Sequence, residues 1–327
     1  MEYIFELKSD LIPWDCIEHC YDATVFHTEE WSNYLKNQYG LKPFVVEISK
    51  NASVVGYFLG YSFSRFGIRI IGSPFEGWAT AYMGLVSKTQ ISNEIRIELY
   101  KELEVFCKKY AWYIQVSDWN IDYKDVEGLF NYTKIESYYL DLTPNMETLY
   151  RSFKQKSCQY SIKKAQKLGV IVSEPTNLNA FAEEYYNELI DVFAKQNLKP
   201  TYGVDCVKKL VNAMSPNHYV FLEARHPDTN VIMATIMFFY HNGMAFYWGA
   251  SSYREYQKYC PNELLMFEAI RRMKDRGVTL LEMEGIRTYK EKYNPVRYSK
   301  PKIVFAKYHA LITAKELAKK AYYKFRK

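Results

Sequence analysis

The stretch VIMATIMFFYHNGMAFYWGASS, residues 231–252, decides the fold. Its first ten residues form the longest apolar run of the chain, far below the roughly 20 that a membrane-spanning helix needs. Residues 231–240 and 244–250 read as two strands, with a third just before them at 219–224. Downstream, a helix starts at Pro261, a residue suited to a first helical position, and Gly277 suits its end. Strands at 279–283 and 303–308 follow. The first half carries the same order: strands at 43–49, 53–63 and 67–72, a helix near 92–110, then strands at 112–117 and 135–142. In that helix Ile95, Leu99, Leu103, Phe106 and Tyr110 recur at steps of three and four, which predicts one buried face. Helices are expected between the halves at 145–153 and 157–168, with Ser157 as N-cap and Gly169 as stop, and then at 178–195 and 205–214. No low-complexity linker divides the halves. The pattern predicts an α/β protein of two related lobes, 1–142 and 143–309, closely packed around a shared cleft, with a basic helix at 310–327.

Composition narrows the function classes. The 327 residues are 48% hydrophobic and 24% charged, which excludes a disordered or fibrous chain. Aromatic residues reach 17%, with 31 tyrosines, more than most cores require, so some rings are expected to line a cleft. The N-terminal MEYIFELKSD lacks the marks of a signal peptide, and the expected location is the cytoplasm, with no transmembrane segment. Six scattered cysteines, with no Cys-x-x-Cys pair, argue against a disulfide framework or a zinc ribbon. Charge is uneven: residues 1–140 hold 13 Lys+Arg against 19 Asp+Glu, and 141–327 hold 30 against 18. A basic second half fits an anionic small-molecule or nucleotide-linked partner, coenzyme A or RNA; a solvated basic face fits as well.

Three segments concentrate groups that bear chemistry. RSFKQKSCQYSIKKAQKLGVIV, residues 151–172, sets Phe153, Ile162, Ala165 and Leu168 on one side and Lys154, Lys156, Lys163, Lys164 and Lys167 on the other, a candidate phosphate-holding face or a solvated one. LEMEGIRTYKEKYNPVRY, residues 281–298, follows an apolar strand. It projects Arg287, Tyr289, Lys290, Lys292 and Tyr293 from a strand end, where α/β sites gather and where Lys, Arg and Tyr can stabilise an oxyanion or move an amine proton. A surface loop with charge pairs fits the same spacing. AFYWGASSYREY, residues 245–256, offers Gly249 and Ser251 for close approach of a ligand, walled by Tyr247, Trp248, Tyr253 and Tyr256, or else core packing. The chain has no Gly-rich phosphate loop, His-Glu-x-x-His, Gly-x-Ser-x-Gly or metal-spaced His/Cys set, so metal and covalent catalysis rank low and no metal is expected.

Taken together, these segments resemble the FemABX-like peptidyltransferases and the envelope-polysaccharide acyltransferases of the GNAT (N-acyltransferase) superfamily, over residues 26–308. SCQYSIKKAQKLGVIV resembles the family's Lys-x-Arg-x-Asn-Ile-Arg-Lys-Ala-x-Lys-x-Gly-Val stretch. FYWGASS is similar to its Tyr-x-x-Gly-Ala-Ser strand end, YKEKYNP to Phe-Lys-x-x-Phe-Gly, and GSPFEGWATAYMGL to the first-lobe strands of the polysaccharide enzymes. The resemblance implies tandem GNAT-like domains, each a mixed, mostly antiparallel sheet flanked by helices. It implies direct attack of an amine on a thioester or aminoacyl ester, with acyl-CoA or aminoacyl-tRNA as co-substrate. It places Lys290 near the reacting carbonyl, and Tyr247 and Lys163 or Lys164 towards the acceptor or its phosphates. Gln159, Ser161, Glu284-Gly285 and Asn294 depart from the family's Arg, Asn, Gly-Gly and Gly.

The expected function is transfer of an acyl or aminoacyl group to a primary amine of a cell-envelope precursor, such as a nucleotide-linked amino sugar or peptidoglycan peptide. The expected catalytic set is Lys290 on the oxyanion with Glu284 or Tyr247 on the proton. Substrate-binding residues are expected among Lys154, Lys163, Lys164, Trp248, Gly249, Ser251, Tyr253, Arg287 and Tyr289. The rivals are a degenerate acyltransferase-fold binding module and a non-catalytic RNA-binding protein using the basic half and the tail. In that tail Lys315, Lys319, Lys320, Lys324, Arg326 and Lys327 surround Leu311, Leu317, Ala318 and Tyr322, a helix suited to RNA, to peripheral contact with an anionic inner membrane, or to solvent.

Overall fold

A computed structural model describes residues 3–9, 11–194 and 197–325. Lys195, expected to close a helix, and Arg326 and Lys327 of the tail lie outside the described residues, as do the side chains of Lys319, Lys320, Tyr322 and Lys324. The chain divides into two compact units, Met1–Ile135 with Ser299–Lys327, and Glu136–Tyr298. The boundaries read from the sequence lie instead at 142/143 and 309/310.

Among the described residues the strands are β1 (Ile4–Lys8), β2 (Lys42–Lys50), β3 (Ser53–Arg65), β4 (Ile68–Ser73), β5 (Gly84–Ser87), β6 (Tyr113–Val116), β7 (Asn131–Asp141), β8 (Ile171–Ser173), β9 (Tyr219–Arg225), β10 (Ile232–His241), β11 (Met244–Ser252), β12 (Leu280–Glu282) and β13 (Val296–Ala306). Both units repeat one plan of a mixed, mostly antiparallel sheet flanked by helices. In the first, β1, β2, β3 and β4 are antiparallel neighbours, β4 is parallel to β6, and β13 closes the row antiparallel to β6. In the second, β8, β9, β10 and β11 are antiparallel, β11 is parallel to β12, and β7 closes the row antiparallel to β12. Each parallel pair is joined through a crossover helix, Asn93–Cys107 in the first unit and Pro261–Asp275 in the second, because parallel neighbours cannot be linked by a tight turn.

The second unit's sheet is covered on both faces. On one, Leu264, Leu265, Ala269, Ile270 and Met273 of the crossover helix pack on Leu222, Ala224, Ile236 and Phe238. At roughly 2 kcal/mol for each large apolar side chain removed from water, that stripe holds the helix more firmly than its propensity does. Helix Leu178–Ala194 covers the other face, where Phe181 stacks on Phe221 with ring centroids 5.4 Å apart.

Two local expectations are corrected. Ser157 does not cap the helix at 160–167; it lies inside a π-helical turn, Gln155–Gln159, which runs directly into helix Tyr160–Lys167. Gly169 does end that helix, at φ 74°. In helix Asn93–Cys107 the buried residues are Arg96, Ile97, Leu99, Tyr100, Leu103 and Cys107, whereas Ile95 is exposed and Tyr110 lies beyond the helix end. The cause is polar. Arg96 is buried with its guanidinium on the carboxylates of Asp22 and Asp118 and on the Leu85 carbonyl, and Tyr100 donates to Asp118 at 2.7 Å. Satisfying that set turns the helix away from the face its apolar spacing suggested.

The C-terminal helix Ala310–Phe325 begins by packing Leu311 and Ile312 on Ile70, Tyr113 and Val304. Lys315 is engaged there too: its ammonium pairs with Glu76 at 2.9 Å, donates to Gln115, and sits over the rings of Phe75 and Tyr113. No helix among the described residues is long and apolar enough to cross a membrane.

Candidate active site

The site is built where two parallel strands part. Strand β11 pairs with β10 along its whole length, from Met244 opposite His241 to Ser252 opposite Ala234. Towards β12 it pairs only through Phe246 opposite Glu282, and then runs on six residues beyond the ladder. A strand edge that outlasts its partner offers a place for an extended ligand to pair. The register also slips on β11, where Phe238 faces Tyr247 and Met237 faces Gly249, so Trp248 is an inserted residue. Such a bulge turns its neighbours to opposite faces. Tyr247 goes to the core side, with its ring 5.4 Å from Phe238, and Gly249 goes under helix Leu178–Ala194. There a Cβ on Gly249 would lie 2.4 Å from the Tyr185 hydroxyl, so only glycine fits. The half-buried Trp248 packs against Tyr185 and Tyr202, at 5.9 and 5.5 Å between ring centroids.

The first unit has no such opening at its own parallel pair. Strands β4 and β6 stay paired from Ile70–Tyr113 to Ser73–Val116, and the Ser117 amide still donates to the Ser73 carbonyl at 2.8 Å. Gly72 is roofed by Phe75 and Trp78.

Beyond β12 the chain turns through two residues in the left-handed region, Glu284 at φ 55° and Gly285 at φ 68°. The family's Gly-Gly is intelligible at such a turn, and the glutamate here carries roughly 1–2 kcal/mol of backbone strain. Asn294, replacing another family glycine, also stands at positive φ, 56°, which asparagine tolerates. Around the turn a polar set closes. Glu282, 1% exposed, accepts from the Ser137 hydroxyl and the Tyr298 hydroxyl, each at 2.5 Å, and from the Glu284 amide at 2.9 Å. Ser137 in turn accepts from the Gly285 amide at 2.7 Å. Lys290, 2% exposed, donates to the carbonyls of Met283 and Glu284, and more weakly to that of Gly285 at 3.4 Å. Its ammonium also lies 5.0 Å from the centre of the Tyr247 ring and 5.6 Å from that of Tyr289.

Electrostatics follow from this packing. Burial pushes the Lys290 ammonium down to about 8, while the Glu282 and Glu284 carboxylates pull it back up. Burial also raises Glu282, against the hydrogen bonds of Ser137 and Tyr298 that favour its charged form. Glu284 reaches solvent from a densely surrounded position, and desolvation followed by the Glu282 charge pushes it up to about 8. Burial holds the Tyr247 hydroxyl well above its usual range, and it hydrogen-bonds Tyr289.

Of the residues expected at a site, Lys290, Glu284, Tyr247 and Tyr289 therefore come together at the end of β12. Trp248, Gly249, Ser251 and Tyr253 lie along or just beyond the overhanging part of β11, and the exposed Arg287 is on the loop between the turn and Lys290. The lysines of the basic segment are elsewhere. The ammonium of Lys154 is 3.8 Å from Glu291, while Lys163 and Lys164 stand on helix Tyr160–Lys167 without an ion pair among the described residues. The sequence reading did not name Glu282, Ser137, Tyr298 or Tyr185. The signal for Glu282 was present, since a glutamate inside the apolar LEM of a short strand must be buried or bulged out.

A second buried acid, Glu188, faces β10. One oxygen accepts from the Thr235 hydroxyl at 2.5 Å and the other has no partner, and desolvation holds its carboxyl well above the usual carboxylate range. The folded chain keeps this proton above pH 4.5, where the unfolded chain releases it, so stability falls as pH rises from there, by about 1.4 kcal/mol per unit until the folded group ionises. Glu188→Gln should remove that slope. Urea unfolding at pH 5, 6 and 7 should show its advantage over the native chain growing; a constant difference would refute the assignment.

Residues 152–293, which lie inside the second unit, match the family described as acetyltransferase (GNAT) domain. Solved structures give a likeness of fold. The chain is similar to the crystal structure of FemX, with 93% of this chain and 97% of that one covered, a TM-score of 0.71 and 9% identity. It is similar to L-PGS from Bacillus licheniformis, with 90% and 95% covered, a TM-score of 0.52 and 13% identity. A conserved protein of unknown function from Bacteroides thetaiotaomicron gives 93% and 100%, a TM-score of 0.55 and 10% identity. At these identities the likeness is one of fold. A search of curated proteins by sequence gave no match.

Proposed function

We propose that the second unit transfers an acyl or aminoacyl group from a thioester or aminoacyl ester, acyl-CoA or aminoacyl-tRNA, to a primary amine of a cell-envelope precursor. The observation that carries this reading is the parting of β11 and β12 above the buried Glu282–Lys290 set, inside the segment that matches the GNAT domain. A donor lying along the overhanging edge of β11 would bring its carbonyl to the end of β12. Direct attack requires that the amine arrive neutral and lose a proton as the bond forms. Glu284 suits the proton's destination, since its carboxyl is poised near 8 and reaches solvent. Lys290 has its protons directed to backbone carbonyls, so it acts here by fixing the turn and by the positive field it places beside Tyr247 and Tyr289. Tyr247 offers its hydroxyl, through Tyr289, to the oxyanion.

Thermal-shift titration with acetyl-coenzyme A and, separately, with a tRNA pool tests the donor, because a ligand of the folded state raises its stability by mass action. A shift with neither would sink the reading. Glu284→Gly should relieve the left-handed strain and raise stability by about 1 kcal/mol, while lowering transfer at least tenfold. Urea unfolding alongside single-turnover assays checks both, and unchanged transfer would remove Glu284 from the mechanism.

A further inference from the structure

On the face of the sheet opposite the crossover helix, hydrogen-bonding groups are left over. Ser251, 3% exposed, has a hydroxyl with no partner. It lies directly across from Thr235, hence on the same face, and Thr235 is the residue whose hydroxyl binds Glu188. Glu188 is 0% exposed with one carboxyl oxygen unpartnered. Two orphaned oxygens that both neighbour Thr235 are unusual in a core; the Ser251 hydroxyl can accept a hydrogen bond as it stands, and the Glu188 carboxyl can accept one as it gives up its proton to an arriving positive charge. Towards the surface the same region is acidic. The half-buried Tyr253 hydrogen-bonds Glu184 and feels the charges of Glu184, Glu188 and Asp191 together, and Asp191 accepts the Arg254 amide at 3.3 Å. Among the described residues no lysine or arginine pairs with Glu184 or Glu188. The region begins two residues past Gly249, on the same overhanging stretch of β11.

We propose that Ser251, Glu188 and Glu184, with Tyr253 at the rim, form a binding subsite for a primary ammonium group of a substrate. An ammonium has three donors and a positive charge, which match two unsatisfied acceptor oxygens set below a carboxylate rim. The inference rests on the acyl-transfer reading and deepens it: the group is either the amine that accepts the acyl group or an amino group carried on the acyl group itself. A simple acetyl donor has nothing to place there.

The test is calorimetric and needs no turnover. Alaninamide serves as the probe for an amino group on the donor, glucosamine as the probe for the acceptor, and propionamide and N-acetylglucosamine are their uncharged counterparts. At pH 7 the native protein should bind one of the two amines and reject its counterpart. Glu184→Gln and Ser251→Ala should each weaken that binding about tenfold with unchanged thermal stability. Alaninamide alone points to an aminoacyl donor, and glucosamine alone to the acceptor. Equal binding of amine and counterpart, binding of neither amine, or amine selectivity retained in both variants would overturn the subsite. Amine selectivity without any stabilisation by coenzyme A or tRNA would keep the subsite and reject acyl transfer.

Discussion

Lys290→Met is expected to destabilise the second unit by about 3–5 kcal/mol and to lower transfer at least a hundredfold. The native ammonium is buried and donates to the carbonyls of Met283, Glu284 and Gly285 while facing the Glu282 and Glu284 carboxyls. A thioether fills similar space but leaves those carbonyls without a donor and the acids without a counter-charge. Hydrogen exchange of the β11 and β12 amides gives the local stability, and the largest loss should fall there. Adding Glu282→Gln should restore part of it, since one uncompensated charge is then removed, and a double-mutant cycle isolates that coupling. If Lys290→Met unfolds within about 1 kcal/mol of the native chain, the clasp does not hold the turn.

Arg96→Met in the first unit should cost a similar 3–5 kcal/mol, for a purely structural reason. Arg96 is the cation between two buried aspartates, Asp22 and Asp118, and also binds the Leu85 carbonyl. Around it the amides of Ser87 and Asn120 and the Tyr100 hydroxyl are bound to the same two carboxylates. Removing the guanidinium strands both charges. The triple change with Asp22→Asn and Asp118→Asn should recover about half of the loss or more, because the charges go with the cation. Five tryptophans, Trp14, Trp31, Trp78, Trp112 and Trp119, lie in this unit and report its unfolding by fluorescence. A single Arg96 substitution that leaves the urea midpoint unmoved would contradict this account.

These two residues also show where the sequence is legible. The strands, the crossover helices and the repeated plan follow from period and punctuation, and the strands 43–49, 53–63 and 231–240 fall within a residue or two of β2, β3 and β10. Glu284, Tyr289 and Lys290 stand together in one segment after a strand, and Tyr247 in the strand segment before it, so the sequence names these side chains as candidates from two separate stretches. What period cannot give is the partner of a polar side chain. Arg96 reads as a surface residue between apolar ones, and its burial is explained by partners far off in sequence, Asp22 at 74 positions and Asp118 at 22. Ser137 and Glu282, 145 positions apart, meet for the same reason. Nor does an apolar run state which strand it will lie beside. The run at 135–142 was assigned to the first lobe, yet the end of β7 pairs with β12, and the run at 303–308 was assigned to the second, yet the end of β13 pairs with β6. The left-handed turn at Glu284 was visible only as a departure from Gly-Gly, which signalled an altered pocket but not strain.

That placement of β13 bears on how the chain matures on the ribosome. Residues 136–298 are contiguous, so the second unit has all its strands once Tyr298 has emerged. The N-terminal unit, synthesised first, cannot add its closing strand or dock the helix that carries Lys315 until the last 29 residues follow. At roughly 5–20 residues per second, its earlier strands wait many seconds with the free edge of β6 uncovered. The half made first is finished last, and a nascent chain stalled near residue 298 would carry a completed second unit and a first unit whose sheet is still open.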